Sequence, residues 1–112
     1  MAATRGRIEQ RPELLARFVA GLAESIKRYK ADRPYALAVL ARYTMADSEE
    51  AVEAGYDIEV AAMLDDLRPD LTAVQAVLEQ IRDEYPAAAT AKAADFVDFR
   101  FVDRLAAGTA AR

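Results

Sequence analysis

Carboxylates are the residues of this sequence whose number and spacing could support chemistry. The chain has 19 Asp and Glu residues but no Cys and no His. A thiol nucleophile, a thiolate metal site and the usual general base near neutral pH are therefore excluded. Di-iron bundles, which take their ligands as Glu-x-x-His pairs, are excluded with them. A Mg²⁺ site built only from carboxylates is the chemistry that the composition leaves open.

One acidic pair has the spacing of a helical metal site. Glu50 and Glu53 lie on one face of a predicted helix, as in all-helical nucleotide pyrophosphohydrolases. Those enzymes need a second Glu-x-x-Asp pair on a neighbouring helix. Asp57, Glu79 and Glu84 do not supply it at that spacing. We interpret the pair as a solvated acidic face.

The other candidate side chains favour structural roles. Asp65 and Asp66 are adjacent, so on a helix they diverge by about 100° and cannot share one proton or metal. Four of the five tyrosines are expected near helix ends, with the ring buried and the hydroxyl hydrogen-bonded; they are Tyr29, Tyr43, Tyr56 and Tyr85. We predict no catalytic residue, no metal ligand and no cofactor, and leave any ligand-binding residue unassigned. The chain is predicted not to be an enzyme.

Net charge and hydropathy exclude two classes of partner. A net charge of -4 with a pI near 4.8 argues against nucleic-acid binding. The one basic concentration, Arg5, Arg7 and Arg11, is interpreted as a solvated N-terminal segment rather than a phosphate site. No run approaches the roughly 20 apolar residues of a membrane span. No signal peptide is recognised, and the localisation stays open.

Helical periodicity and capping residues predict the first half of the fold. A helix over about 12–30 begins at Pro12 and carries its apolar residues within an arc of about 140°. These residues are Leu14, Leu15, Phe18, Val19, Leu22, Ile26 and Tyr29. Pro34 begins a second helix, to about Tyr43, that is apolar on nearly every side. We expect this second helix to be the central core helix.

Further caps predict three more helices. Asp47 opens a capping box for a helix over about 48–64, and Asp70 caps another over about 71–84. The last helix is predicted over about 98–107, with Asp98 as N-cap and Gly108 at its end. Residues 87–94 are predicted to be a mobile or extended connector. The sequence thus predicts one all-α domain over 1–112, with about five helices in a compact irregular bundle and no sheet.

Three of the four phenylalanines occur within six residues near the C-terminus. Phe96, Phe99 and Phe101 are too large and apolar for a free tail, so we expect this segment to dock onto a folded surface. If Phe18 or Phe101 is buried, its replacement by Ala should cost roughly 3–5 kcal/mol.

Four segments in this order resemble the C-terminal helical part of ABC-importer solute-binding proteins of the nitrate/sulfonate/taurine/bicarbonate type. Residues 12–18 match a "N-P-E-L-V-x-x-F" helix start, and residues 34–44 match "P-x-x-A-x-x-x-L-A-x-x-T". Residues 70–81 are similar to the penultimate helix of the family, and residues 96–102 to its closing "L-V-D-x-x-F-V".

The resemblance implies a fragment or truncated relative of a periplasmic protein about three times this length. The ligand site of the family lies mainly in two upstream α/β lobes, so the resemblance carries no binding residue over to this chain. An ABC permease is an expected partner only in the full-length context.

Two alternatives remain open. The first is a stand-alone helical interaction module that acts as a homodimer, and the second, weaker one is a small Mg²⁺-dependent enzyme. Self-association is expected through apolar helix faces that carry Leu14, Phe18, Leu22, Phe99 and Phe101.

Overall fold

The computed structural model describes residues 2–110, and these residues contain six α-helices, two short 3₁₀-helices and no strand. Five of the α-helices have 11 or more residues, so the predicted all-α class with about five helices and no sheet is confirmed. The α-helices are α1 (Arg5–Gln10), α2 (Pro12–Ala31), α3 (Arg33–Tyr43), α4 (Glu49–Ala62), α5 (Leu71–Ile81) and α6 (Arg100–Ala110), and the 3₁₀-helices are Pro86–Thr90 and Ala93–Phe96.

The chain divides into two compact units, Met1–Leu67 and Arg68–Arg112. The first unit holds α1 to α4, and the second holds α5, both 3₁₀-helices and α6. The single domain that the sequence predicts over 1–112 stays a prediction. Within residues 2–110, every helix is too short or too polar to cross a bilayer.

Short polar side chains set the helix starts of the first unit. Pro12 occupies the first turn of α2, and the carboxylate of Asp32 accepts a hydrogen bond from the backbone N–H of Tyr35 at 3.1 Å. Ser48 caps α4 through its hydroxyl, which accepts from Ala51 N–H at 3.2 Å. The predicted cap at Asp47 is therefore one residue early. Ser48 takes the role because its backbone is extended where the helix begins.

Small and medium side chains build the core of the first unit. Its buried residues are Val19, Ala36, Val52 and Tyr56. The expectation that α3 is a wrapped core helix is wrong, since its tyrosines Tyr35 and Tyr43 are 42% and 74% exposed. The residue of α3 that α2 and α4 cover is Ala36, whose small side chain permits close helix contact.

Phe18 is exposed, so the expectation that its ring is buried is also wrong. Its ring is 57% exposed, whereas the next residue, Val19, is 2% exposed. The large penalty predicted for Phe18→Ala applies to a buried ring, so we expect a cost to the isolated chain below about 1 kcal/mol.

The second unit is built on α5. Asp70 caps this helix as predicted, because its carboxylate accepts from Thr72 N–H at 2.8 Å. The helix ends at Ile81 rather than near Glu84. Its last turn closes through the N–H of Tyr85, which donates to the carbonyl of Ile81 at 2.8 Å, and Pro86 then begins the first 3₁₀-helix.

The segment predicted to be a mobile or extended connector is instead ordered against α5. Both 3₁₀-helices pack on α5, and Ala88 and Ala93 are buried, as is Leu78 of α5. The side-chain carbonyl of Gln75 accepts a hydrogen bond from Ala93 N–H at 3.1 Å. Alanine lacks a bulky side chain, so the backbone itself can approach the helix, and a search for large apolar anchors misses this contact.

The last helix differs from its prediction at both ends. Asp98 does accept from the backbone N–H of Arg100 at 3.1 Å, but the helix begins at Arg100 and continues through Gly108 to Ala110. Phe101 is half-buried rather than buried, and Phe96 is 62% exposed. The 3–5 kcal/mol predicted for Phe101→Ala is therefore too large.

Among residues 2–110, two residues other than glycine have left-handed backbone. Met45, just after α3, has φ of 47°, and Leu67, between α4 and α5, has φ of 54°. A side chain in this region collides with the following carbonyl at a cost of roughly 1–2 kcal/mol. Met45 is 91% exposed, so packing of its side chain does not offset this cost.

We predict that Leu78→Ala destabilises the second unit by about 2–4 kcal/mol, because it opens a cavity where α5 meets both 3₁₀-helices. Its neighbour Val77 is 54% exposed, so Val77→Ala is the matched control and should cost less than about 0.5 kcal/mol. Urea unfolding followed by circular dichroism measures both. Equal effects would show that Leu78 is not a core residue.

Candidate functional site

The carboxylates considered for metal binding are separate in the structure. Glu50 is exposed at the start of α4, whereas Glu53 accepts from Arg33 Nη1 at 3.4 Å. Asp65 pairs with Lys30 at 2.7 Å, and its neighbour Asp66 is exposed. Across the described part of the chain, no three acidic side chains are close enough to hold one metal ion. The solvated acidic face predicted for Glu50 and Glu53 thus includes one ion pair to Arg33.

The arginines near the N-terminus lie in and beside a single short helix. Arg5 and Arg7 belong to α1, a helix of six residues, and Arg11 separates it from α2. All three are exposed. Thr4 caps α1 by accepting from Arg7 N–H at 3.3 Å. The segment forms a helix, which the sequence pattern did not predict.

The most structured polar site is the junction where the end of α2 meets α4. Tyr56 of α4 is buried, and its hydroxyl lies 3.2 Å from the carbonyl oxygen of Tyr29 and 3.4 Å from that of Lys30. These carbonyls belong to the last turn of α2, where the helix supplies no N–H partner. A single phenol O–H shared between them therefore caps α2 from another helix. The Tyr29 and Tyr56 rings lie 5.2 Å apart at 41°.

Lys30 in turn caps the C-terminus of α4. Its ammonium donates at 2.7 Å to the carbonyl oxygen of Met63, the C-cap residue of α4, and at 2.7 Å to the Asp65 carboxylate. A cation at a helix C-terminus also complements the negative end of the helix dipole. The two helices thus cap each other reciprocally, Tyr56 acting on α2 and Lys30 on α4.

The side chain of Arg33 extends this junction to the start of α3. Arg33 lies 3.4 Å from Glu53 and 3.8 Å from Asp57, and its guanidinium is 5.4 Å from the centre of the Tyr56 ring. These ion pairs are about half exposed, so each contributes at most about 1 kcal/mol. Their main effect is to fix the direction in which α3 leaves α2.

Tyr29 is the titratable group of the junction whose ionisation the fold disfavours. Burial raises the pKa of its hydroxyl above the ordinary tyrosine value. The Glu59 carboxylate, which accepts from this hydroxyl at 2.7 Å, raises the pKa further because a phenolate would repel it. The tyrosine therefore stays protonated and serves as a donor. It does not have the lowered pKa of a base or nucleophile.

A shallow groove of about 450 Å³ lies between α3 and the start of α4. Its walls include Leu37, Ala41, Val52 and the acidic side chains of Glu49 and Glu53. The Ser48 hydroxyl at its rim accepts from the helix backbone. The groove has an apolar floor and an acidic rim, and it brings together no nucleophile with a base.

Ion pairs also organise the phenylalanine-rich segment in the second unit. The guanidinium of Arg68 donates to Asp103 at 2.7 Å and lies 4.6 Å from the centre of the Phe99 ring. Arg100 binds Asp98 through Nη2 at 2.6 Å and Nε at 3.0 Å. These hydrogen bonds hold the pKa of Asp98 below its ordinary value, although burial opposes the shift. Arg68 thus joins the start of the second unit to Asp103 and Phe99, whereas Asp98 and Arg100 form a local pair within the phenylalanine-rich segment.

The residues predicted for self-association fall on both units. Leu14 and Phe18 are exposed on α2 and Leu22 is half-buried there, whereas Phe99 and Phe101 are half-buried in the second unit. The exposed members thus belong to α2. Sequence reasoning missed the roles of Lys30, Arg33 and Glu59, because no local pattern links a helix end to residues 20 to 35 positions away.

No protein-family model matches this chain, and comparisons with curated proteins and with solved structures find no match.

We predict that Tyr56→Phe costs about 1–2 kcal/mol, since it removes the hydroxyl that caps the last turn of α2 and leaves two carbonyls short of a donor. Tyr35→Phe is the matched control. The Tyr35 ring is 42% exposed and stacks on the Arg28 guanidinium at 3.8 Å, a contact that phenylalanine keeps. Chemical denaturation of both variants measures the difference. Equal stabilities would contradict the capping role of Tyr56.

We predict that alkaline pH weakens the fold through Tyr29. Its pKa in the folded chain lies above the unfolded value. The stabilisation is thus complete below about pH 10 and is lost as the unfolded chain ionises above it. Titration of tyrosinate absorbance should show one delayed step that Tyr29→Phe removes. Tyr43→Phe, at a ring 74% exposed, is the control and should leave that step in place.

Proposed function

We propose that this chain is a fragment or truncated relative of the solute-binding component of an ABC importer, and that it has no complete ligand site of its own. Three of the four resembling segments fall on α-helices in the same order, namely residues 12–18 at the start of α2, 34–44 on α3 and its C-cap, and 70–81 on α5 and its N-cap. The fourth, residues 96–102, runs from the second 3₁₀-helix into α6.

The observation that carries this proposal is the amount of apolar surface left uncovered. The chain exposes 8769 Å² of total surface, whereas two separate compact units of roughly 7 and 5 kDa would together expose about 7,200 Å². Eleven large apolar side chains of the described residues are at least 38% exposed. A helical portion that belongs against a larger body leaves its contact surface open in this way.

In this proposal the chain has a supporting role without catalysis. Its helices pack on ligand-binding lobes, and the polar junction at Tyr56 keeps α2, α3 and α4 in fixed directions for that contact. The periplasm and an ABC permease belong to the proposal only in the full-length setting. Retention of Mg²⁺ by the carboxylates of this chain would speak for the enzymatic alternative.

The DNA immediately upstream of the Met1 codon tests this proposal. We expect an open frame, intact or interrupted by a short lesion, that encodes two α/β lobes and an export signal. Joining that frame to the chain should slow amide exchange in α2, since the lobes would cover Leu14 and Phe18. An upstream region with no lobe-coding sequence would overturn the proposal, and so would a fusion in which amide exchange in α2 is unchanged.

A stand-alone interaction module is the second candidate function, and one specific observation favours it. Phe18 stands 57% exposed in the middle of a 20-residue helix, beside Leu14 at 45%. A single exposed apolar residue is ordinary. Two exposed apolar residues one helical turn apart, such as Leu14 and Phe18, favour a contact surface.

A further inference from the structure

The exposed face of α2 combines one projecting ring with a notch. We define this α2 face as Leu14, Phe18, Gly21 and Ser25, which at 100° per residue lie within an arc of about 60°. Phe18 projects from it, while Gly21 and Ser25 are exposed and small. A Cβ atom on Gly21 would meet nothing within 4 Å, and the Ser25 hydroxyl folds back onto the Gly21 carbonyl at 2.8 Å. The face therefore carries both a knob and a hole.

A charged stripe runs along one side of the α2 face. Glu13, Arg17, Glu24 and Arg28 lie within an arc of about 60° of one another, and their signs alternate along the helix. When two identical helices pack antiparallel through the same face, a two-fold axis relates them, and the charged stripe of one helix lies beside the charged stripe of the other. Arg17 then lies opposite Glu24 of the second copy. The same register places Glu13 opposite Arg28 of that copy, whose guanidinium also stacks on Tyr35 of its own chain.

We propose that the α2 face binds a second copy of this chain, with the two α2 helices antiparallel. The register that pairs the charges centres the two-fold axis between residues 20 and 21. It also places Phe18 between Gly21 and Ser25 of the second copy, so each ring enters the notch of the other helix. Packing and charge thus specify one register independently. A parallel pair would not bring the charged stripes together.

The length of α2 is sufficient for such a dimer. The helix has 20 residues and is about 30 Å long, so the notch, the ring and both charge pairs fit along it. This inference does not depend on the importer relationship.

Gly21→Ala separates packing in the dimer from stability of the single chain. Alanine is the better helix former, and the space around Gly21 is open, so the variant should be more resistant to heat at high dilution. It should also weaken self-association at least tenfold, because the added methyl group fills the notch. Sedimentation velocity over a concentration series measures association. A dimer that is unchanged or tighter in Gly21→Ala would overturn the inference.

Charge reversal tests the direction and register. Arg17→Glu and Glu24→Arg should each weaken the dimer severalfold, and the double variant should restore it, because each pair is then reversed rather than broken. Ile58→Ser, at a residue 71% exposed on α4, is the control and should leave association unchanged. A monomeric wild-type chain, or a double variant as weak as the single ones, would refute the antiparallel dimer. The lobes of the importer proposal would cover the same α2 face, so this dimer is expected only of the chain without them. The upstream DNA tests the importer relationship separately.

Discussion

A helix that ends inside a folded unit leaves carbonyl groups without N–H partners, and the cost of burying them unpaired governs how its neighbours are arranged. In the first unit this constraint is met across helices. The phenol of Tyr56 lies against the last carbonyls of α2, while the ammonium of Lys30 reaches the end of α4. Each helix end is therefore satisfied only when the other helix is in place, which couples formation of the two.

The same coupling explains how a unit with so small a core keeps defined helix directions. No described side chain larger than alanine is completely shielded from solvent, so apolar burial gives little discrimination between alternative packings. Directional hydrogen bonds supply that discrimination, because a shift of one helix turn would separate Tyr56 from both carbonyls. Arg33, which joins the start of α3 to two carboxylates of α4, acts in the same sense.

The sequence predicts features that depend on neighbouring residues and misses those that depend on distant ones. Pro12, Pro34 and Asp70 act on the first turn of their own helices, so those helix starts could be predicted to within a residue. The ordered alanine segment could not, because Ala88 and Ala93 are buried by the approach of backbone to α5. The junction at Tyr56 was predicted only as a buried ring with a bonded hydroxyl. Its partners lie 26 and 27 residues earlier in the chain.

The left-handed turn after α3 shows that the sequence is not optimised for stability at position 45. Met45 holds a backbone conformation that suits glycine or asparagine, and its side chain is almost wholly solvated. Its thioether is thus open to oxidants, and conversion to the sulfoxide would cost no buried contact. At this turn the chain carries conformational strain and chemical exposure together. Position 45 is accordingly an unused reserve of stability, of the kind that natural proteins leave wherever a fold already exceeds its working threshold.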